Sequence, residues 1–247
     1  MKLHVYNSNS SGNAYLLDNG MEALLLECGI PFKRIMADIG KGVSRLAGCV
    51  LSHEHGDHAK SVEEIISMRL TVVTSEGTRE ALFGEAHPIF VRCIQPQEET
   101  VLGGFSIIAI PTEHDVKQPY GYVIRHDDMG TLLFATDTYY LRYRFKGLNH
   151  IMVECNYDHG LLMRNYENGR ISLALKERTI KSHMSLDTCS DVVTSNDSPK
   201  LRNVVLLHLS EENSDEEAFR KHIQGLTRAR VTVARPGVEL ELKKDPF

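Results

Sequence analysis

The chain has 247 residues, 42% of them hydrophobic, enough to bury a substantial core. Its 28 Lys and Arg against 33 Asp and Glu give a formal net charge of −5, which excludes a surface that attracts nucleic acid as a whole, so a polyanion would have to be met locally. The five cysteines form no CxxC spacing, which excludes a thiolate zinc site and a disulfide framework and suits a reducing compartment.

The opening MKLHVYNSNSSGNAYLL carries no long apolar stretch, and no later run approaches the thickness of a bilayer. The expectation is a soluble cytoplasmic protein with no membrane partner. Apolar β-rich runs follow in chain order: KLHVY, NAYLLD, EALLLE, GCVLS, LTVV, FSIIAI, YGYVIR, TLLFATD, HIMVEC, NVVLLHL, RVTVAR and VELEL. The first of these are joined by short turns such as SNSSGN and DNGME, which predicts antiparallel hairpins. Helical patterns lie between the later runs, over 58–68, 75–83, 171–180, 184–195 and 214–224. The last is expected to start at Ser214 as N-cap, with Glu216 and Glu217 at the positive end of the helix. Strands alternating with helices predict a layered α/β fold, and no linker or repeat divides the chain, so residues 1–247 read as a single domain.

One stretch stands apart. LSHEHGDHAK, 51–60, places His53, His55, Asp57 and His58 within six positions. With 12 His and 13 Asp in the chain, a shuffled sequence yields His-x-His-x-Asp-His roughly 0.0015 times, so chance is a poor explanation. Histidines and carboxylates crowd in this way when a cation holds them, because each ligand then gains a bond that offsets its desolvation. On a loop leaving the strand GCVLS, the backbone can aim His53 and His55 at one ion and Asp57 and His58 at a second. Such a site needs further ligands, and three residues sit just beyond apolar runs: His114 after FSIIAIPT, Asp137 after TLLFAT and His208 after NVVLL.

A His-x-His-x-Asp-His motif after a strand, followed by single His, Asp and His at later strand ends, resembles the metallo-β-lactamase superfamily. The resemblance implies a four-layer αββα sandwich of two mixed β-sheets with metals at the mouth between them. It implies that His53, His55 and His114 bind one metal, that Asp57, His58 and His208 bind the second, and that Asp137 bridges. Glu27 in LLLECG stands where the superfamily usually has Asp, at a supporting position. Two divalent ions per chain are expected, zinc first, with manganese or iron as the alternatives.

Within that superfamily NSNSSGNAY, VECNYD, SHMSLDT and LLHLSEEN resemble the YycJ/WalJ-type subfamily of nuclease-like proteins. The paired HMS and HLS segments also resemble the two late histidine motifs of the ribonuclease Z enzymes. By that resemblance His183 is a proton donor oriented by Glu154 and not a ligand, and the expected catalytic set is His183, Glu154 and Asp57. The expected function is a binuclear phosphodiesterase that cleaves nucleic acid, DNA before RNA, through a hydroxide held between the metals. The alternative is a small-molecule hydrolase of a lactone, thioester or cyclic phosphodiester. SSGN by itself reads as a hairpin turn, and LRYRFK is a basic stretch able to steer a phosphate backbone.

Overall fold

The computed structural model describes residues 1–245, with the side chains of 38 and 40–42 excepted. Strands β1 (Lys2–Asn9), β2 (Gly12–Asp18), β3 (Ala23–Leu26), β4 (Leu46–Val50), β5 (Val72–Thr74) and β6 (Val91–Cys93) build the first sheet. Strands β7 (Glu99–Leu102), β8 (Phe105–Pro111), β9 (Tyr120–His126), β10 (Gly130–Ala135), β11 (His150–Glu154), β12 (Asn203–Leu207) and β13 (Arg230–Val233) build the second, and β14 (Glu239–Glu241) returns to the first. The spatial orders are β14-β1-β2-β3-β4-β5-β6 and β13-β12-β11-β10-β9-β8-β7. Each sheet is antiparallel in one half and parallel in the other.

Alternation along the strands explains the layering. Leu24 and Leu26 face the space between the sheets, where they meet Phe105, Tyr122, Phe134 and Leu207 of the opposite sheet. Leu25, between them, faces outward and joins Phe32, Ile35 and Ile39 of helix α1 (Phe32–Ile39). The second sheet does the same: Met152 and Val205 point inward, while Ile151, Val153, Val204 and Leu206 point outward. A strand buried on both faces reads as an unbroken apolar run, and this produced NVVLL and HIMVE. The outward residues are covered by α7 (Leu186–Asn196), through Cys189 and Val193, and by α8 (Glu216–Gln224), through Phe219 and Ile223. Helix, sheet, sheet, helix is the expected αββα order.

The remaining helices are α2 (Gly56–Ala59), α3 (Val62–Ser67), α4 (Glu76–Phe83), α5 (His159–Glu167) and α6 (Leu173–Ser182). The single helix expected over 58–68 is two short ones, because the Ser61 hydroxyl donates to the Ile30 carbonyl instead of serving the helix. The last helix is capped by Asp215, which accepts from the Ala218 amide, and not by Ser214. Ser214 donates to the Ser210 carbonyl. Among the described residues no helix is long and apolar enough to cross a membrane, and all five cysteines are free.

Parallel pairing places the carboxyl ends of β3 and β4 together, and those of β10, β11 and β12 together. Strand β8 lies two antiparallel steps from β10, so it runs in the same direction and ends on the same side. Every strand that supplies a candidate ligand therefore ends at one edge of the sandwich. The loop after β3 is stitched to α2 there: Cys28 N–H donates to the His58 carbonyl and Ser61 N–H to the Cys28 carbonyl. Gly29 sits at this crossing, where an added Cβ would lie 1.6 Å from the Asp57 carbonyl oxygen. Gly29→Ala is therefore expected to destabilise the fold by about 3 kcal/mol or more, since backbone and not a pliable side chain must move. Chemical denaturation of the variant measures it, and a midpoint equal to wild type would refute the close approach.

Candidate metal centre

Five of the seven expected ligands, His53, His55, His114, Asp137 and His208, and with them Glu27 occupy the loops just past these strand ends, while Asp57 and His58 lie on α2. His53 Nε2 lies 3.1 Å from His55 Nδ1, which lies 3.3 Å from His114 Nε2. Nitrogens held by one tetrahedral zinc at about 2.0–2.1 Å would be about 3.4 Å apart, so the spacing is that of a shared cation. The opposite ring nitrogens are pinned. His53 Nδ1 meets Ser52 Oγ at 2.8 Å, and His114 Nδ1 donates to the Ser182 carbonyl at 2.7 Å, which turns the Nε2 lone pair of His114 toward the centre.

The second group is Asp57, His58, Asp137 and His208, whose donor atoms lie within 4.8 Å of one another. His58 Nε2 is 3.5 Å from Asp57 Oδ2 and 3.3 Å from Asp137 Oδ1. Glu27, fully buried, takes His58 Nδ1 at 3.1 Å and the Ser52 amide at 3.0 Å, so the longer carboxylate holds its ligand as a supporting residue. Asp137 divides its oxygens: Oδ1 faces His58, while Oδ2 is 3.8 Å from His114 Nε2. One carboxylate thus lies beside both groups.

One atom tests whether a cation fits. His208 Nε2 is buried with no hydrogen-bond partner, 3.8 Å from Asp57 Oδ2. An unpaired ring nitrogen aimed at a carboxylate-lined space is costly unless something else occupies that space. The residues present fit divalent cations.

Electrostatics agree for the first group. Burial, with His58 beside it, holds His53 well below the usual imidazole range, and burial with His114 lowers His55. Both rings are then neutral and free to donate a lone pair. Burial opposes charge on His58 too, but Asp137 overcomes it and raises His58 well above the usual value. Burial likewise opposes charge on Asp137, and His208 and His58 outweigh it, holding the carboxyl well below its usual range.

Glu154, the last residue of β11, is fully buried and uses both oxygens. Oε1 accepts from His183 Nδ1 at 2.7 Å and His208 Nδ1 at 3.1 Å, while Oε2 accepts the amides of Thr138 and Met184. His183 is the residue after α6, between the rings of His114 and His208 at centroid distances of 5.4 and 5.3 Å. Burial lowers its pKa, but Glu154 and Asp137 raise it further, to about 9. A third cluster of Asp137, Glu154, His183 and His208 meets the same distance limit. It suits a cation less well, because Glu154 already accepts four hydrogen bonds. Glu154 reaches substrate only through His183, so it is a positioning residue.

The site opens into a cleft of about 660 Å³, walled by the β1–β2 turn, α6 and the loop after β12, and lined by His55, Asp57, Asp137, His183 and His208. Three contributors were not expected from the sequence. Asn13 of SSGN has its amide 3.1 Å from His58 Nε2 and 3.5 Å from Asp57 Oδ2, so the turn also reaches the site. Asp115 lies 3.1 Å from His114 Nε2. Asn156 of VECNYD donates to the His208 carbonyl. Asn13 and Asn156 lay inside quoted motifs, and their positions relative to the ligands required the fold.

Residues 17–208 match the family model described as a beta-lactamase superfamily domain. The chain is 25% identical over 231 residues to Exodeoxyribonuclease WalJ of Streptococcus pneumoniae, covering 87% of this chain and 84% of that protein. Among solved structures it is similar to the metallo-beta-lactamase fold protein YhfI from Bacillus subtilis, with a TM-score of 0.72 and 17% identity over 97% of this chain and 99% of that one. A diphosphatase from the PhnP family gives a TM-score of 0.68 at 15% identity over 97% and 96%. The family match runs from within β2 to the last clustered histidine, and this chain belongs to the beta-lactamase superfamily as a metal-dependent hydrolase.

Proposed function

We propose that the chain, read as one domain over 1–247, is a cytoplasmic nuclease that holds two divalent cations, zinc first, and cleaves phosphodiesters of DNA in preference to RNA. The observation that carries this reading is a cleft-lining His183 held by Glu154 beside two groups of candidate ligands that share Asp137. A lactone or thioester site needs the cations; a phosphodiester with a poor leaving group also needs a separate acid. The homology to a protein named as an exodeoxyribonuclease supports the DNA preference.

Bound cations would supply Lewis acidity and a nucleophile at neutral pH. The remaining work falls to the chain. His53, His55 and His114 would hold one cation, and Asp57, His58 and His208 the other. Asp137 fixes the separation of the two groups. Glu154 keeps the His183 ring turned and charged, so that Nε2 can deliver a proton to the leaving oxygen. Glu27 and the Ser182 carbonyl keep His58 and His114 in the required tautomers.

Elemental analysis together with hydrolysis of bis(4-nitrophenyl) phosphate and labelled DNA and RNA tests the proposal. The expected result is about two metal ions per chain and cleavage of both ester and nucleic acid. Turnover of a lactone or thioester with no phosphodiester cleaved would replace the reading with a small-molecule hydrolase.

A further inference from the structure

The segment TYYLRYRFK, 138–146, leaves the centre directly from Asp137. Its outline is unusual. Leu141 is buried and Phe145 packs against the cluster under α7, while Tyr139, Tyr140, Arg142, Tyr143, Arg144 and Lys146 all face solvent. Of nine tyrosines in the chain, the three that stand more than a third exposed are these, at 41%, 51% and 37%. Exposed large rings normally occur singly, and here three fall within five residues.

The segment is anchored at several points. Thr138 Oγ1 receives the Glu113 amide and donates to the Tyr140 carbonyl, the Tyr139 amide donates to the Glu113 carbonyl beside His114, and the Phe145 amide is held by Asn196 of α7. Thr138 N–H is also bound to Glu154, the partner of His183. Tyr139 is therefore two residues, at most about 7 Å of chain, from Asp137, and Tyr143 at most about 21 Å. The segment and α7 enclose a groove of about 470 Å³ lined by Tyr140, Arg142, Tyr143, Arg144 and, from α7, Asp191, and it shares no lining residue with the cleft over the centre. Arg142 pairs with Glu113, whereas Arg144 and Lys146 make no ion pair among the described residues.

We infer that residues 139–146 are a stacking track for single-stranded nucleic acid, which leads an unpaired strand to the metal centre. The inference rests on the nuclease reading and adds the strand state of the substrate and the surface that recognises it. Aromatic rings interleaved with cations bind single strands because every base offers a π-face and every phosphate a charge, whereas a duplex hides its base faces. The track gives an acidic chain a local cationic approach.

The test is an anisotropy titration of metal-loaded protein with fluorescent phosphorothioate oligothymidylate, oligouridylate and a DNA duplex, with cleavage of the ordinary phosphodiester oligonucleotides followed in parallel. Wild type should bind the single strands more tightly than the duplex; the dT and U arms distinguish DNA from RNA. Replacing Tyr139, Tyr140 and Tyr143 by alanine should weaken single-strand binding at least about fivefold per ring, at unchanged metal content and melting temperature. The three phenylalanine replacements should restore binding, and Arg144→Gln with Lys146→Gln should flatten its salt dependence. Cleavage by wild type with binding unchanged in the alanine variant overturns the track and leaves the nuclease reading standing. Equal losses on single strand and duplex also overturn it, as does light scattering of a dimer that the alanine variant breaks without loss of oligonucleotide binding. Small esters hydrolysed by wild type with no nucleic acid cleaved would remove the nuclease reading, and the track with it.

Discussion

Asp137→Ala is expected to lower phosphodiester hydrolysis by about four orders of magnitude, the scale of the several kcal/mol that a bound divalent ion contributes. The reason is the division of its oxygens, Oδ1 toward His58 and Oδ2 toward His114. Removing that carboxylate withdraws a donor from both groups and leaves buried imidazoles facing one another. Asp57→Ala should behave differently, because Asp57 contacts only His58 and His208 among the ligands and sits within the second group. Elemental analysis separates the two: loss at both sites for Asp137, loss chiefly at one for Asp57. Asp137→Asn is the folding control, since asparagine tolerates the backbone angle there (φ 39°) and keeps the shape of the side chain. If Asp137→Ala retains full metal content, the bridge is not a bridge.

His183→Ala is expected to reduce turnover by roughly 10²–10⁴-fold on DNA, the range for removal of a general acid, with metal content kept. The loss should shrink on bis(4-nitrophenyl) phosphate, whose nitrophenolate leaves without a proton. Glu154→Gln should move in the same direction by a smaller factor, because it weakens the grip on the His183 ring without removing the ring. Its effect extends to His208, which shares Oε1, so a modest loss of metal accompanies it. His208→Ala should strip metal and fail on both substrates. Equal losses for His183→Ala on DNA and nitrophenyl ester would make it a binding residue, and loss of metal would make it a ligand.

Most of the twelve apolar runs were legible because strands buried on both faces leave a long uniform signal, while VELEL showed β14 by its alternation. What escaped was short or two-sided. Strand β6, VRC, is an edge of three residues with Arg92 exposed, and β7, ETVL, alternates at the opposite sheet's edge. Helices α1 and α5 are short, eight and nine residues, and their periods are too brief to stand out from loop. The ligand motif was legible since five of its seven expected members are histidines, a residue type that seldom clusters without cause. Asn13, Asp115 and Asn156 were not, because an amide or a lone carboxylate acquires its meaning only from the side chain opposite, here His58, His114 and His208. His183 was assigned by resemblance; its contact with Glu154, 29 residues earlier, depends on β11 ending beside the α6–α7 junction.

Among the described residues, three of the five non-glycine residues with positive φ, Glu27 at 61°, Asp137 at 39° and His208 at 53°, sit where strands deliver side chains to the centre. Each such backbone costs about 1–3 kcal/mol, and glycine would remove that cost. Glycine would also leave the Ser52 amide and His58 without Glu27, His58 without Asp137, and Glu154 without the His208 ring, and each unpaired buried group costs about 1–3 kcal/mol. The strain is thus held in place by the same buried contacts that shape the centre, so a mutant library screened for survival of heating in the presence of a chelator should not enrich glycine at 27, 137 or 208.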